Sequence, residues 1–94
     1  MTETCTRTVT VTNVDGLHTR PCVAIVKTVS RHQAQVTIQK GTQSVDAASV
    51  MDLLSLAATQ GTELVLTATG TEAEKTLEAV AGLFDGKTDL ASCL

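Results

Sequence analysis

A histidine and an arginine two residues apart sit in the segment Gly16-Leu17-His18-Thr19-Arg20-Pro21. An imidazole nitrogen can accept a phosphoryl group, and a guanidinium fork pairs with phosphate oxygens. Gly16 supplies a tight bend and lets the backbone approach an anion. Pro21 fits the first turn of a helix, where a missing N–H costs nothing. A helix starting here presents unpaired N–H groups and a partial positive charge, which together hold a phosphate. The same field works against a positive charge on the ring. Asp15 is close in sequence, but no Ser or Cys completes an evident triad. The site therefore has the makings of a carrier rather than of a complete catalyst. A histidine at a helix start is commonly only a surface or capping residue; the Gly, Arg and Pro around His18 favour chemistry. His32, beside Arg31 at a helix end, reads as solvated and structural.

Thr6 to Thr12 alternates Thr with Arg7, Val9 and Val11, which predicts a strand with one buried face. From Thr19 to Arg31, Cys22, Ile25, Val26 and Val29 fall at i, i+3, i+4 and i+7, an amphipathic helix with His18 at its start. Val36 and Ile38 alternate within a second strand, Gln35 to Lys40. Lys40-Gly41 turns into a polar third strand, Thr42 to Asp46. Ser49 opens a short helix with Val50, Leu53, Leu54 and Ala57 on one face, and Ser49 with Asp52 has capping-box spacing. Gly61 is expected to stop that helix. Glu63 to Thr69 is the fourth strand. Thr71 and Glu74 form a capping box for a last helix with Ala73, Leu77, Val80 and Phe84 inward, ended by Gly86. The order is βαββαβα. One-sided strands and helices predict an α+β fold: an open-faced β-sandwich, a four-stranded antiparallel sheet with three helices on one face. Residues 1–94 form a single expected domain.

The totals exclude several classes. Ten acidic against seven basic residues give a net charge of −3, which is wrong for a nucleic-acid backbone binder. Phe84 is the only aromatic residue, so stacking platforms for single strands are missing. No stretch approaches the ~20 apolar residues of a membrane span, and no signal peptide is visible, so a cytoplasmic protein is expected. Cys5, Cys22 and Cys93 are odd in number and widely spaced. The expectation is free thiols in a reducing compartment, with no disulfide framework and no zinc site.

The segment from Gly16 to Pro21 resembles the G-[LI]-H-[AT]-R-P hallmark of the histidine-containing phosphocarrier (HPr) family of the bacterial phosphotransferase system. Ser49-Val50-Met51-Asp52-Leu53-Leu54-Ser55-Leu56 is similar to that family's second segment, around a regulatory serine. The spacing of the two segments and the element order from Thr6 to Phe84 also fit. The resemblance implies that His18 takes phosphate on Nδ1 from enzyme I, which is charged by phosphoenolpyruvate. It passes the phosphate to the A component of a sugar permease. Arg20 shields the charge, with Gly16, Thr19 and Arg20 forming the cradle. Ser49 corresponds to the serine modified by an HPr kinase/phosphorylase. Val50, Met51 and Leu54 correspond to the family's apolar partner patch, with Met51 the best candidate for an exposed contact; Lys27, on the first helix, is expected at the rim of that surface. Ala48 and Asp52 stand where basic or neutral residues are frequent in the family, so this surface is less basic than usual. No cofactor, metal, nucleic acid or membrane insertion is implied, and a monomer is expected.

An alternative within the family is a regulatory paralogue for carbon or nitrogen control, acting through protein contacts and Ser49 phosphorylation. From other classes, a small binding module would leave His18 as a mere cap, and a metal carrier is disfavoured by the missing C-x-x-C spacing.

Overall fold

The computed structural model describes residues 3–84 and the backbone of Ser92 and Cys93. Its elements are β1 (Glu3–Thr10), α1 (Thr19–Ser30), β2 (Gln35–Lys40), β3 (Gln43–Asp46), α2 (Val50–Ser55), β4 (Glu63–Gly70), α3 (Ala73–Ala81) and β5 (Ser92–Cys93). The first seven follow the expected βαββαβα order. The four expected strands form one antiparallel sheet, and β5 extends it at the edge of β1, giving the order β3-β2-β4-β1-β5.

Alternation decides the two faces of the sheet. Across the strands Cys5 lies beside Ala68 and Val36, Arg7 beside Leu66 and Ile38, and Val9 beside Leu64. All of these but Arg7 are buried. They share one core with Cys22, Ile25 and Val29 of α1, Leu53 of α2, and Leu77 and Val80 of α3. The alternate residues Thr6, Thr8, Thr37, Gln39, Val65 and Thr69 are exposed on the uncovered face. A one-residue slip would exchange the two sets, so burial pins the register. Each fully buried Leu contributes roughly 1.5–3 kcal/mol. Arg7 is the exception on the inner face: it is half-buried, and its Nε has no hydrogen-bond partner among the described residues.

Some boundaries differ from expectation, each for a tertiary reason. β1 begins at Glu3 because β4 offers it a partner as far as Gly70. It ends at Thr10, while Val11 stays buried and donates its N–H to Thr62 O at 2.9 Å. The expected Thr71–Glu74 capping box does not form. α3 starts at Ala73, and its N-cap Glu72 makes no side-chain cap. The Glu72 carboxylate instead accepts from Gln33 N at 2.7 Å, and Glu74 N donates to Glu3 Oε1 at 3.2 Å. α3 ends at Ala81, so Phe84 is buried beyond the helix rather than on it, with its carbonyl accepting from Thr12 Oγ1 at 2.6 Å. Gly86 lies outside the described residues. Gly61 does not stop α2: that helix closes at Leu56, and the chain reverses at Ala57, whose φ is +49°.

The expectation of three free thiols also fails. Cys5 is disulfide-bonded. In the β1–β5 register it lies opposite Cys93, while Cys22 is a free, buried thiol. Antiparallel pairing brings the two chain ends together, which spacing along the sequence does not reveal. Among the described residues no helix is long and apolar enough to cross a membrane.

Candidate functional site

The His18 site is built where two buried residues, Gly16 and Leu17, hand the chain to α1. Leu17 is buried and donates its N–H to Ala58 O at 2.8 Å. Gly16 N–H donates to Asn13 O at 2.9 Å, closing the turn before it. Gly16 has φ +72°, and a Cβ there would lie 2.5 Å from Ala58 O. Only glycine permits both this conformation and this approach. The next residue, His18, is exposed.

His18 is the N-cap of α1, with extended backbone (φ −106°, ψ −169°). Its carbonyl accepts from Cys22 N at 3.1 Å, while its side chain makes no capping hydrogen bond. The ring is thus not consumed in holding the helix. By helix geometry the N–H groups of Thr19 and Arg20 lack intrahelical partners, and Pro21 has no N–H. No acidic residue lies in the first turn of α1, so nothing there offsets the positive end of the helix. Thr19 and Arg20 are exposed, as anion contacts must be. His18 and Arg20 line one groove together with Asn13, Pro21, Ala24 and Leu83.

Asn13, Ala24 and Leu83 carried no site signal in the sequence. Asn13 reads there only as a loop residue. Leu83 reaches the groove from the far end of α3, which no local pattern announces. His32 is less solvated than expected: it is half-buried, and its Nδ1 lies 2.8 Å from Thr28 O at the end of α1. Burial raises the pKa of the Cys22 thiol from its usual value, which keeps it protonated and inert.

Ser49 is the N-cap of α2, and its Oγ accepts from Asp52 N at 3.3 Å. The reciprocal half of the capping box is not made. Ser49 N–H donates to Asp46 O at 3.2 Å instead, and the Asp46 carboxylate accepts from Ala48 N at 2.9 Å. Met51 is 76% exposed, whereas Val50 and Leu54 are half-buried against the core. Lys27 is exposed in the last turn of α1, and α1 packs directly on α2. Among the described residues no cluster of three or more His, Cys, Asp or Glu could hold a metal ion.

Comparison with known proteins identifies the class. The family described as "PTS HPr component phosphorylation site" matches residues 5–85. The phosphocarrier protein NPr of Shewanella violacea is 37% identical over 86 residues, covering 92% of this chain and 94% of that protein. The phosphocarrier protein HPr of Treponema pallidum is 36% identical, covering 86% of this chain and 92% of that protein. Among solved structures, an HPr from Bacillus anthracis superposes with a TM-score of 0.82 at 33% identity, covering 87% of this chain and 98% of that one. The chain belongs to the HPr family: it is a phosphocarrier of the phosphotransferase system.

Proposed function

We propose that the chain is a single-domain cytoplasmic carrier that accepts a phosphoryl group on Nδ1 of His18 from enzyme I. It then delivers that group to the A component of a sugar permease. In the first step the imidazole nitrogen attacks the phosphorus held by enzyme I; a new P–N bond forms as the donor's bond breaks. In the second step an acceptor on the permease component attacks the same phosphorus and His18 leaves. The reading rests above all on an exposed histidine at the start of α1 whose ring is not spent on capping. The Thr19 and Arg20 N–H groups and the Arg20 guanidinium hold the phosphoryl oxygens, an electrostatic and positioning role. Gly16 brings the backbone to the site, and Lys27, Val50, Met51 and Leu54 form the partner surface, with Met51 as its exposed apolar contact. The protein acts as a monomer and needs no cofactor.

The test is incubation with enzyme I and phosphoenolpyruvate, followed by intact mass at mildly alkaline pH. One acid-labile phosphate on the wild type, absent from His18→Ala, is expected. No phosphate on a folded wild type beside a competent enzyme I would overturn the reading.

A second reading is a regulatory paralogue for carbon or nitrogen control, working through protein contacts and through modification of Ser49 by an HPr kinase/phosphorylase. Its support is that Ser49 is the N-cap of α2, its Oγ accepting from Asp52 N at 3.3 Å, a helix start where an added phosphate is tolerated. Its mark would be an unchanged phosphorylation of His18 combined with failure to pass phosphate to any permease component.

A further inference from the structure

The loop that precedes β4 runs directly beneath the His18 loop and holds it at several points. Ala58 O accepts from Leu17 N at 2.8 Å, and Ala58 is itself buried. Gly61 N donates to Val11 O at 2.8 Å, and Val11 N donates to Thr62 O at 2.9 Å. Gln60 Nε2 donates to Thr12 O at 3.2 Å. The loop begins at Ala57, the only non-glycine residue with positive φ among the described residues. Its φ of +49° lies in the left-handed region that L-residues other than Gly, Asn and Asp avoid.

Both sides of Ala57 are fixed. Its N–H donates to Leu54 O at 3.1 Å, which closes α2. Leu56, one residue before, is fully buried, and its carbonyl accepts from Lys40 Nζ at 2.7 Å. With α2 anchored there, only a left-handed residue at 57 turns the next carbonyl toward Leu17. Ala57 is exposed, so its side chain is not what selects the conformation. Strain of this kind persists where the surroundings over-determine it, and it is commonly stored at functional sites.

We propose that the 57–62 loop, turned by Ala57, is the positioning element for His18: it fixes the Leu17 amide one residue before the imidazole. This rests on the carrier reading of His18. Ala57 is a positioning residue that never touches the phosphoryl group; it acts through Ala58 O, Leu17 N and the entry angle of α1.

The test compares wild type, Ala57→Gly, Ala57→Val and Gln60→Ala. Glycine adopts φ +49° freely, whereas a β-branched residue resists it. Each protein is phosphorylated by enzyme I and, separately, by phosphoramidate, a small donor that needs no partner. Amide exchange of Leu17, Ile38 and Leu66 is followed in parallel. In Ala57→Val, His18 phosphorylation is expected to slow about 10-fold with either donor, with KM for enzyme I unchanged, as a small misplacement of a reacting group demands. Leu17 alone should lose protection. Ala57→Gly should match wild type, and Gln60→Ala, a surface change that leaves folding untouched, should slow about 2-fold to 3-fold.

Wild-type rates in both Ala57→Val and Gln60→Ala would overturn the proposal, whether or not Leu17 is exposed. So would a slowing that came only with lost protection at Ile38 and Leu66. If Ala57→Val does not fold, Gln60→Ala decides alone. A wild type that accepts phosphate from phosphoramidate but not from enzyme I would sink the partner assignment. The positioning role would still be read from the variants.

Discussion

At Gly16 the backbone itself carries the site. Its φ of +72° and the 2.5 Å approach a Cβ would make to Ala58 O leave no side chain an unstrained place. The obstacle is backbone oxygen rather than a movable side chain, so relief requires the His18 loop to shift. Gly16→Ala is expected to cost at least about 2 kcal/mol, the sum of a left-handed alanine and a displaced contact. Thermal unfolding checks the loss. The same variant should lower the rate of His18 phosphorylation, because the Leu17 amide hydrogen bond next to it is the one disturbed. An unchanged Tm would mean that the loop yields without penalty. At this scale the sequence was highly legible. His18, Arg20, Gly16 and Pro21 are all local to one segment, so their meeting at the start of α1 could be read from that segment alone. Ala57 was invisible by comparison: an alanine shows no preference for the left-handed region, and only the contacts around it impose one.

The helix starts separate local signals from tertiary ones. Ser49-x-x-Asp52 and Thr71-x-x-Glu74 have the same spacing, yet only Ser49 caps its helix. Asp is one methylene shorter than the usual Glu, and Ser49 N–H is already taken by Asp46 O, so only one half of the box forms at α2. At α3 the carboxylates have distant partners: Glu72 binds Gln33 N and Glu3 binds Glu74 N. Those bonds join α3 to the chain before β2 and to β1, and they override the local box. Ser49→Ala should therefore destabilise the protein by ~1 kcal/mol, whereas Thr71→Ala should be neutral within ~0.5 kcal/mol. Urea unfolding of the two variants checks this, and equal losses would refute the assignment. The amphipathic pattern of Cys22, Ile25 and Val29 and the alternation of Val36 and Ile38 were legible because burial on one face repeats at the period of the element. Boundaries were less so, since they depend on partners elsewhere in the chain.

For the whole molecule, the ends of the chain set the last question. β5 lies against β1 with Cys93 opposite Cys5, and Cys5 is disulfide-bonded. Nothing in the spacing of the cysteines announces this, because the pairing joins residues at opposite ends of the sequence. A disulfide uses two of the chain's three cysteines and leaves one thiol, which the structure assigns to Cys22. Burial raises the Cys22 pKa above the usual 9.0, so the folded protein favours its neutral form. That contribution is full below the unfolded thiol's pKa and is lost as pH rises through the folded one. Native alkylation at neutral pH should therefore be slow. In guanidinium without reductant one thiol per chain should label, and three should label after reduction. Reduction of the folded protein should cost about 2–4 kcal/mol, since it releases a constraint on the unfolded chain. Cys5→Ser should lose at least as much, since it also buries a hydroxyl in the core, and show no further response to reductant. Three labelled thiols without reductant, or a Tm indifferent to it, would remove the bond from the oxidised protein. In a reducing compartment the same bond opens. His18 phosphorylation should then persist at a wild-type rate, because the loops that hold His18 are braced by backbone hydrogen bonds from 11 to 17 and 57 to 62, with no bond to Cys5 among them.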